Sequence, residues 1–547
     1  MLLGIDVGGT FTDAVIIDGG AIISSAKRRT TKDNLMNGIT DALGAVMSGA
    51  DPAQIEQVTL STTVVTNTIV EHKEQPVDLY VVAGPGRNVD DIFPVRPVYL
   101  KGYTDHRGIV VERTDVGGTR QLANMVQSKS GTDLAAVSTK FGVRNPKEEI
   151  DVAQALADTY STISTGSALS GNLNFPRRTI SAYFNSAVAA VFKEFKTAVY
   201  HALETFHITA PVYILKADGG SLPIDTVESI PVETVFTGPA ATVLGLEALR
   251  STKEAHTVAL DIGGTTTDIS LWKQGKPLMT KEGVSIREYP SAVRSFAVTS
   301  VGIGGESAVR YEDGELMVGP ERLGPSVALG GTIPTLGDAL IVLGNAHYGD
   351  EQKAYDAITQ IDTTIDAKIM AQRIVDTAVR VVQQGIDTVV AKENKRPIYV
   401  VSDIVHPDPF VPAQLVIVGG TAASLGPIIG DTLGLPVHIP PDAAVANAIG
   451  AGVANHTMAI TVHVDTKRRT MVVPELGIQD KGSSLRSAQA VEEVAYGLLR
   501  EAAQEQGLVP QGVMPAIETI SVEDFPVVDG WQSMERIITV KVQLKAG

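Results

Sequence analysis

One short phrase occurs twice in this chain. "GIDVGGTFTDAV" (4–15) and "ALDIGGTTTDIS" (259–270) share the order Asp-x-Gly-Gly-Thr-x-Thr-Asp, with identity at Asp6/Asp261, Gly8/Gly263, Gly9/Gly264, Thr10/Thr265, Thr12/Thr267 and Asp13/Asp268. In the first copy the apolar runs "LLGIDV" and "AVIID" flank the Gly-Gly-Thr turn, so residues 2–18 read as a β-hairpin, and its twin begins at Val258. A chain that writes the same hairpin twice is expected to fold as two like units. Its 547 residues exceed one typical core and call for two or three domains.

Between and beyond the twins, strand and helix patterns alternate. "QVTLSTTVVTNTIVE" (57–71) predicts a strand, a Thr-rich turn and a helix; "VDLYVVAGPG" (77–86) predicts a buried strand with a glycine turn. Residues 161–177 read as a loop joining two units, and 178–195 as one amphipathic helix. "VYILKADGGSLP" (212–223) and "PVETVFTGPAATVLGLEAL" (231–249) repeat the strand, glycine turn and helix order. From Ala413 the chain reads strand, Gly-Gly turn, helix, short strand, Pro-Pro stop and helix. This alternation implies an α/β layer architecture. The expected division is 1–170, 171–456 and 457–547, the last a small separate α+β domain.

Composition removes several classes of function. The formal charge of −17, from 45 Lys+Arg against 62 Asp+Glu, argues against a nucleic-acid partner. The basic triplets Lys27-Arg28-Arg29 and Lys467-Arg468-Arg469 read as solvated strand ends. With no cysteine, thiolate metal sites, iron–sulfur clusters, disulfides and cysteine nucleophiles are excluded. His72, His106 and His406 read as ordinary loop or surface residues, since no H-E-x-x-H or close pair occurs. No uncharged apolar run reaches membrane-spanning length and no basic leader opens the chain, so no membrane association and a cytoplasmic location are expected.

The twin turns carry a chemistry. Glycines remove side-chain bulk, so successive backbone N–H groups can converge on an anion, and threonine hydroxyls add donors. An aspartate beside a phosphate makes sense when Mg²⁺ and its waters stand between them. A single copy is equally explained by turn geometry; two copies facing each other would clamp a triphosphate from both sides. "VIVGGTAASLGP" (416–427) supplies a third turn, where Gly419, Gly420 and Thr421 open a helix and could seat an adenosine. "SVGIGGES" (300–307) adds Gly304 and Gly305, with Glu306 as a nearby acid. No G-x-x-x-x-G-K-[ST] loop and no complete dinucleotide fingerprint occurs.

Two phosphate turns followed by a Gly-Gly turn resemble the actin–hexokinase–heat-shock ATPase superfamily. "LSTTVVTNTIVEHK", "PVETVFTGPAATVLG", "SVGIGGES", "ELMVGPE" and "GGTIPTLGDALIVLG", in order with the twins, resemble the A-type subunit of the hydantoinase/5-oxoprolinase/acetone carboxylase family over about residues 2–455. The resemblance implies duplicated ribonuclease-H-like lobes around an ATP·Mg²⁺ cleft. It also implies ATP-dependent activation of a cyclic amide or imide for ring opening, and a B-type partner subunit in an oligomeric assembly. The chain departs from the family pattern at Leu60-Ser61, at Ala297-Val298-Thr299 and in "RLGPSVALGG".

On this reading Asp6 and Asp261 hold Mg²⁺ through water. Gly8, Gly9, Thr10, Thr12, Gly263, Gly264, Thr265, Thr266 and Thr267 grip phosphates, with Gly304 and Gly305 beside them. Gly419, Gly420 and Thr421 seat the adenosine, and Thr62, Thr63, Asn67 and Arg177 face the substrate. Asp13 and Asp268 either orient the attacking group or pin their hairpins. The alternatives are a small-molecule kinase of the same superfamily and a non-catalytic nucleotide-binding subunit.

Overall fold

The computed structural model describes residues 1–30, 35–86, 90–249, 256–280, 283–312, 314–396, 405, 407–509, 513–527 and 535–545. Both hairpins form, and each leads a sheet of the same order. In the first lobe β1 (Leu2–Val7) pairs antiparallel with β2 (Phe11–Asp18), and β2 with β3 (Ala21–Arg29). On its other side β1 runs parallel to β4 (Gln57–Thr62), and β4 parallel to Val212–Leu215. In the second lobe Thr257–Ile262 pairs antiparallel with Thr267–Lys273, which pairs with Lys276–Pro277; Gln414–Val418 and then Val437–His438 follow in parallel. Three antiparallel strands followed by two parallel ones, twice, are the duplicated ribonuclease-H-like α/β lobes that the resemblance implies.

The leading strands are central and covered on both faces, as parallel-sheet strands are. Leu3, Ile5 and Val7 are fully buried, and so are Val258, Leu260 and Ile262 at the matching positions. The Thr-rich turn at 63 leads into the expected helix, Val64–Val70. The sequence from Ala413 folds as read, with helices Ala422–Leu433 and Ala446–Gly452.

Other expectations change. Residues 161–177 hold a strand, Thr162–Thr165, and a short helix, Gly166–Leu169, in place of a plain loop. The single helix read at 178–195 is two, Phe175–Ala187 and Ala189–Thr205, meeting at Val188. No glycine or proline marks that junction, so periodicity runs through it. The first lobe's sheet takes strands Val212–Leu215 and Ser221–Pro223 from beyond residue 170, so the packing of one sheet crosses that expected boundary. His72 and His106 are exposed, and His406 lies outside the described residues. Among the described residues no helix is long and apolar enough to cross a membrane.

Residues beyond 457 form the expected α+β unit, a five-stranded antiparallel sheet with helix Ala488–Glu505. Its packing is not separate, however. Ile460, Val462, Leu499, Ile538 and Val540 share one apolar core with Leu3, Ile180 and Phe184 of the first lobe. Polar ties reinforce the contact: Arg107 donates to both oxygens of Asp465 at 2.8 and 2.7 Å, and Arg468 donates to Arg107 O at 2.5 Å. The second basic triplet is thus partly built into this junction.

The two lobes meet through helices Thr237–Ala248 and Ala446–Gly452, which cross at backbone contact. A Cβ on Gly245 would lie 2.1 Å from Ala446 O, and one on Gly450 would lie 1.9 Å from Ala241 O. Gly450→Ala is therefore expected to destabilise the chain by about 3 kcal/mol, the upper end of what an overpacked contact costs. Gly497, inside helix Ala488–Glu505 with open space around it, makes the control. Gly497→Ala should raise stability by about 1 kcal/mol through helix propensity. Urea midpoints of the two variants should move in opposite directions.

His463 supplies a pH test of the C-terminal junction. Its Nε2 lies 2.9 Å from Gly171 O and its Nδ1 3.1 Å from Thr539 Oγ1, and burial holds its pKa down to about 4. The folded state resists protonating this ring, whereas the unfolded chain protonates it near 6.5. Stability should therefore fall as pH drops from about 6.5 to about 4. His463→Gln should flatten that part of a urea-midpoint-against-pH curve, and an unchanged slope would refute the assignment.

Candidate functional site

Strand register sets the centre of the site. Asp6 stands opposite Asp13 across the first hairpin, and Asp261 opposite Asp268 across the second. The hairpins' turns close identically, Gly8 N–H donating to Phe11 O and Gly263 N–H to Thr266 O, both at 3.0 Å. The turns face each other across the seam between lobes, with Thr10 Oγ1 3.5 Å from Thr265 Oγ1. Among the described residues the amides of Gly9, Thr10, Gly264 and Thr265 donate to no protein acceptor.

Each aspartate is held differently. Asp6 is buried and accepts a hydrogen bond from the Ser61 hydroxyl. Burial, then the charge of Asp13, pushes its carboxyl up to about 7. Asp13 is raised to about 6, chiefly by burial, although Lys27 Nζ donates to its Oδ2 at 2.6 Å. Its Oδ1 is buried with no hydrogen-bond partner. Asp268 accepts from the Ser300 hydroxyl and rises to about 7 through burial and the charge of Asp261. Asp261 Oδ2 accepts from Thr242 Oγ1 at 2.6 Å and from Asn447 Nδ2 at 3.2 Å. Both of those partners sit on the crossing helices, so the seam that joins the lobes also orients this carboxylate.

Burial and neighbouring carboxylates raise Asp6, Asp13 and Asp268, and Asp13 keeps a buried oxygen unpaired, which suits a site completed by a cation. No three acidic or histidine side chains among the described residues could ligate a metal ion directly. Asp6 and Asp261 occupy matching positions on the two leading strands, and the residues here would fit a cation met through water rather than by direct ligation.

The third turn docks onto the second. Thr421 N–H donates to Ile262 O at 3.0 Å and its hydroxyl to Gly263 O at 3.1 Å. Gly419 has a φ of +97°, and a Cβ there would meet Asp261 Oδ1 at 2.5 Å. Only glycine fits between that carboxylate and the strand end. Gly420 is exposed at the start of helix Ala422–Leu433.

Several assigned residues are placed elsewhere by the structure. Thr12 and Thr267 are fully buried, their hydroxyls engaged with Thr30 Oγ1 and Ile303 O, so they pin their hairpins and do not reach phosphate. Gly304 and Gly305 are buried behind the second turn. Their amides are spent on Ser307 Oγ and Gly263 O, so they shape that turn and offer no donor. Thr62 is also buried, bonded to Val64 N and Thr237 Oγ1. Arg177 donates to Ser291 O at 2.9 Å and Gly283 O at 3.4 Å, binding a loop by its carbonyls. Asn67 does reach the first turn, its Nδ2 3.1 Å from where a Cβ on Gly9 would stand, and it donates to Thr63 Oγ1.

The residues missed are Lys27, Ser61, Thr242, Ser300 and Asn447. Arg28 and Arg29 are exposed at the end of their strand as expected, whereas Lys27 is half-buried and is not a solvated strand end. Lys27 pairs with Asp13, and Arg29 lies 3.5 Å from Glu306, which Arg322 also contacts at 2.6 Å. Lys27 had no direct signal in the sequence: counting back from the turn at Gly19-Gly20 sets Ala26 opposite Asp13, and a register shift between Ile16 and Ile17 brings Lys27 there instead.

Comparison with known proteins agrees with the duplicated fold. The hydantoinase/oxoprolinase N-terminal region model matches residues 2–160, and the hydantoinase/oxoprolinase model matches residues 178–460. The caprolactamase subunit alpha of Pseudomonas jessenii is 26% identical over 383 residues, covering 62% of this chain and 54% of that one. The acetophenone carboxylase gamma subunit of Aromatoleum aromaticum is 25% identical over 539 residues, covering 87% and 70%. 5-Oxoprolinase 1 of Arabidopsis thaliana is 25% identical over 376 residues, covering 58% and 29%. The chain thus spans about half of the caprolactamase subunit and under a third of the oxoprolinase. Among solved structures, ATP-dependent caprolactamase from Pseudomonas jessenii superimposes with a TM-score of 0.71 at 21% identity, covering 100% of this chain and 87% of that one. Nucleotide-free acetone carboxylase gives 0.73 at 16% identity, covering 99% and 87%. With both family models matched in order along the duplicated fold, the chain belongs to the hydantoinase/oxoprolinase family.

Proposed function

We propose that this chain is the ATP-using subunit of an enzyme that activates and opens a cyclic amide or imide, of the hydantoin or 5-oxoproline-like lactam type. The observation that carries the reading is the pair of facing turns, each with an aspartate pair beside free backbone amides, and a third glycine turn docked against one of them. Relatives named caprolactamase and 5-oxoprolinase support the substrate class.

In this reading Gly9, Thr10, Gly264, Thr265 and Thr266 hold the phosphates, and Gly419, Gly420 and Thr421 the adenosine. Mg²⁺ bound through water at Asp6 and Asp261 would neutralise phosphate charge. The substrate's carbonyl oxygen attacks the γ-phosphorus and the bond to the ADP oxygen breaks, as in other phosphoryl transfers governed by positioning and charge. Water then adds to the activated carbon, the C–N bond breaks as the nitrogen takes up a proton, and the acyl phosphate left behind is hydrolysed by a second water to carboxylate and phosphate. Asp268, raised to about 7, is suited to accept the water's proton near neutral pH. Thr63 and Asn67, beside Gly9, form the substrate side. Relatives named as subunits support a B-type partner and an oligomeric assembly.

The full chain with Mg²⁺ and ATP, alone and with a B-type subunit, should be assayed against hydantoin, 5-oxoproline, caprolactam and sugars. Phosphate release coupled to ring opening is expected. A stable phosphorylated product would identify a kinase instead, and bicarbonate-dependent product a carboxylase. Tight ATP binding without substrate-stimulated turnover would identify a regulatory subunit. Asp6→Asn and Asp261→Asn should each lower turnover by about a hundredfold or more, the scale of a lost charge-stabilising contact; unchanged turnover would remove these residues from the site.

A further inference from the structure

The site described above has a charge problem. Asp6, Asp13, Asp261 and Asp268 line it, and the ligand proposed for it carries several negative charges of its own. A cation on the protein is needed beside the metal, and neither twin turn contains one. Strand β3 of the first lobe supplies it. Lys27 stands directly opposite Asp13 in the β2–β3 register, and its Nζ donates to Asp13 Oδ2 at 2.6 Å. The same ammonium crosses to the loop before helix Ala446–Gly452, donating to Ala444 O at 3.1 Å. Its Cε lies 3.9 Å from where a side chain on Gly420 would begin. Lys27 therefore touches the first phosphate hairpin and the edge of the adenosine turn at once, in the stretch of cleft that a nucleotide's phosphates must occupy to join them.

We propose that Lys27 is a polyphosphate-binding residue, with Asp13 the counter-ion that holds its ammonium ready. This rests on the nucleotide reading of the site and adds a contact which that reading did not contain. An ammonium has three N–H donors. Asp13 Oδ2 and Ala444 O take two, leaving one for a phosphate oxygen without breaking either existing bond. The Phe11 ring, 5.1 Å from Nζ, adds a face that favours the cation. Lys27 is about a third exposed while Asp13 is buried, so the lysine is the accessible end of the pair. The unpartnered Oδ1 of Asp13 is a second sign that this pair is built for more than its own salt bridge, since buried carboxylate oxygens are ordinarily satisfied. Arg29, two residues along the same strand and paired with Glu306 beside the second turn, extends the cationic edge in the same direction.

The test is calorimetric binding of ATP, ADP, AMP and adenosine, with Mg²⁺, to the full chain and to its Lys27→Met and Lys27→Arg variants. Lys27→Met should weaken ATP by about tenfold to a hundredfold, the range a charged hydrogen bond supplies, and leave adenosine within a factor of about two. Lys27→Arg should recover most of the loss. Equal weakening of ATP and adenosine would make Lys27 a strut between lobes and overturn the proposal, as would unchanged ATP affinity. Failure of the unaltered chain to bind ATP would instead overturn the nucleotide reading itself. A measurement on the unaltered chain covers the case in which Lys27→Met does not fold. Lysine-directed labelling read by mass spectrometry should show Lys27 protected by ATP and not by adenosine; equal labelling under both conditions overturns the proposal.

Discussion

The crossing of helices Thr237–Ala248 and Ala446–Gly452 governs the geometry of everything else in this protein. Glycine at 245 and 450 lets the two backbones touch, and the helices join the sheets of both lobes around a core shared by Leu215, Ala241, Ala259 and Val418. From the same two helices Thr242 and Asn447 reach Asp261. A larger residue at the crossing would push apart the lobes and at the same time loosen the hold of Thr242 and Asn447 on Asp261. Fold stability and site geometry are thus carried by one contact.

Around that contact the electrostatics are deliberately unbalanced. Paired strands bring aspartates face to face, and burial drives three of them toward neutrality, to about 7, 6 and 7 for Asp6, Asp13 and Asp268. Hydroxyls from Ser61, Ser300 and Thr242 and the Lys27 ammonium offset part of the cost. Burying several carboxylates together is costly, and a nearby cation lowers that cost. Ser61 is informative here, because its hydroxyl is placed on Asp6 and sets the environment of the first carboxylate.

Much of the architecture was legible because it rests on local pattern. The twin hairpins, the strand–turn–helix at 57–70 and the run from Ala413 all carry apolar periodicity interrupted by glycine, and all form where expected. The helix pair broken at Val188 was not legible, since no residue there disfavours a continuous helix and the break answers to packing. The site followed the same division. Asp6, Asp13, Asp261 and Asp268 come together by hairpin register, which sequence encodes directly. Thr12, Thr267, Gly304 and Gly305 carry the right chemistry at the right spacing, yet alternation along the strand and docking behind the second turn bury them.

By itself the sequence determined that two like hairpins would exist, that each would pair its aspartates, and that a third glycine turn would follow them. Those properties depend on neighbours within a few residues or on a repeat visible in the text of the chain. Only the tertiary structure decided that the turns face each other, that Thr242 and Asn447 hold Asp261, that Arg177 binds a loop, and that Lys27 spans from Asp13 to Ala444. Each of these joins residues with no shared periodicity, brought within hydrogen-bond distance by the way two sheets meet across one helix crossing.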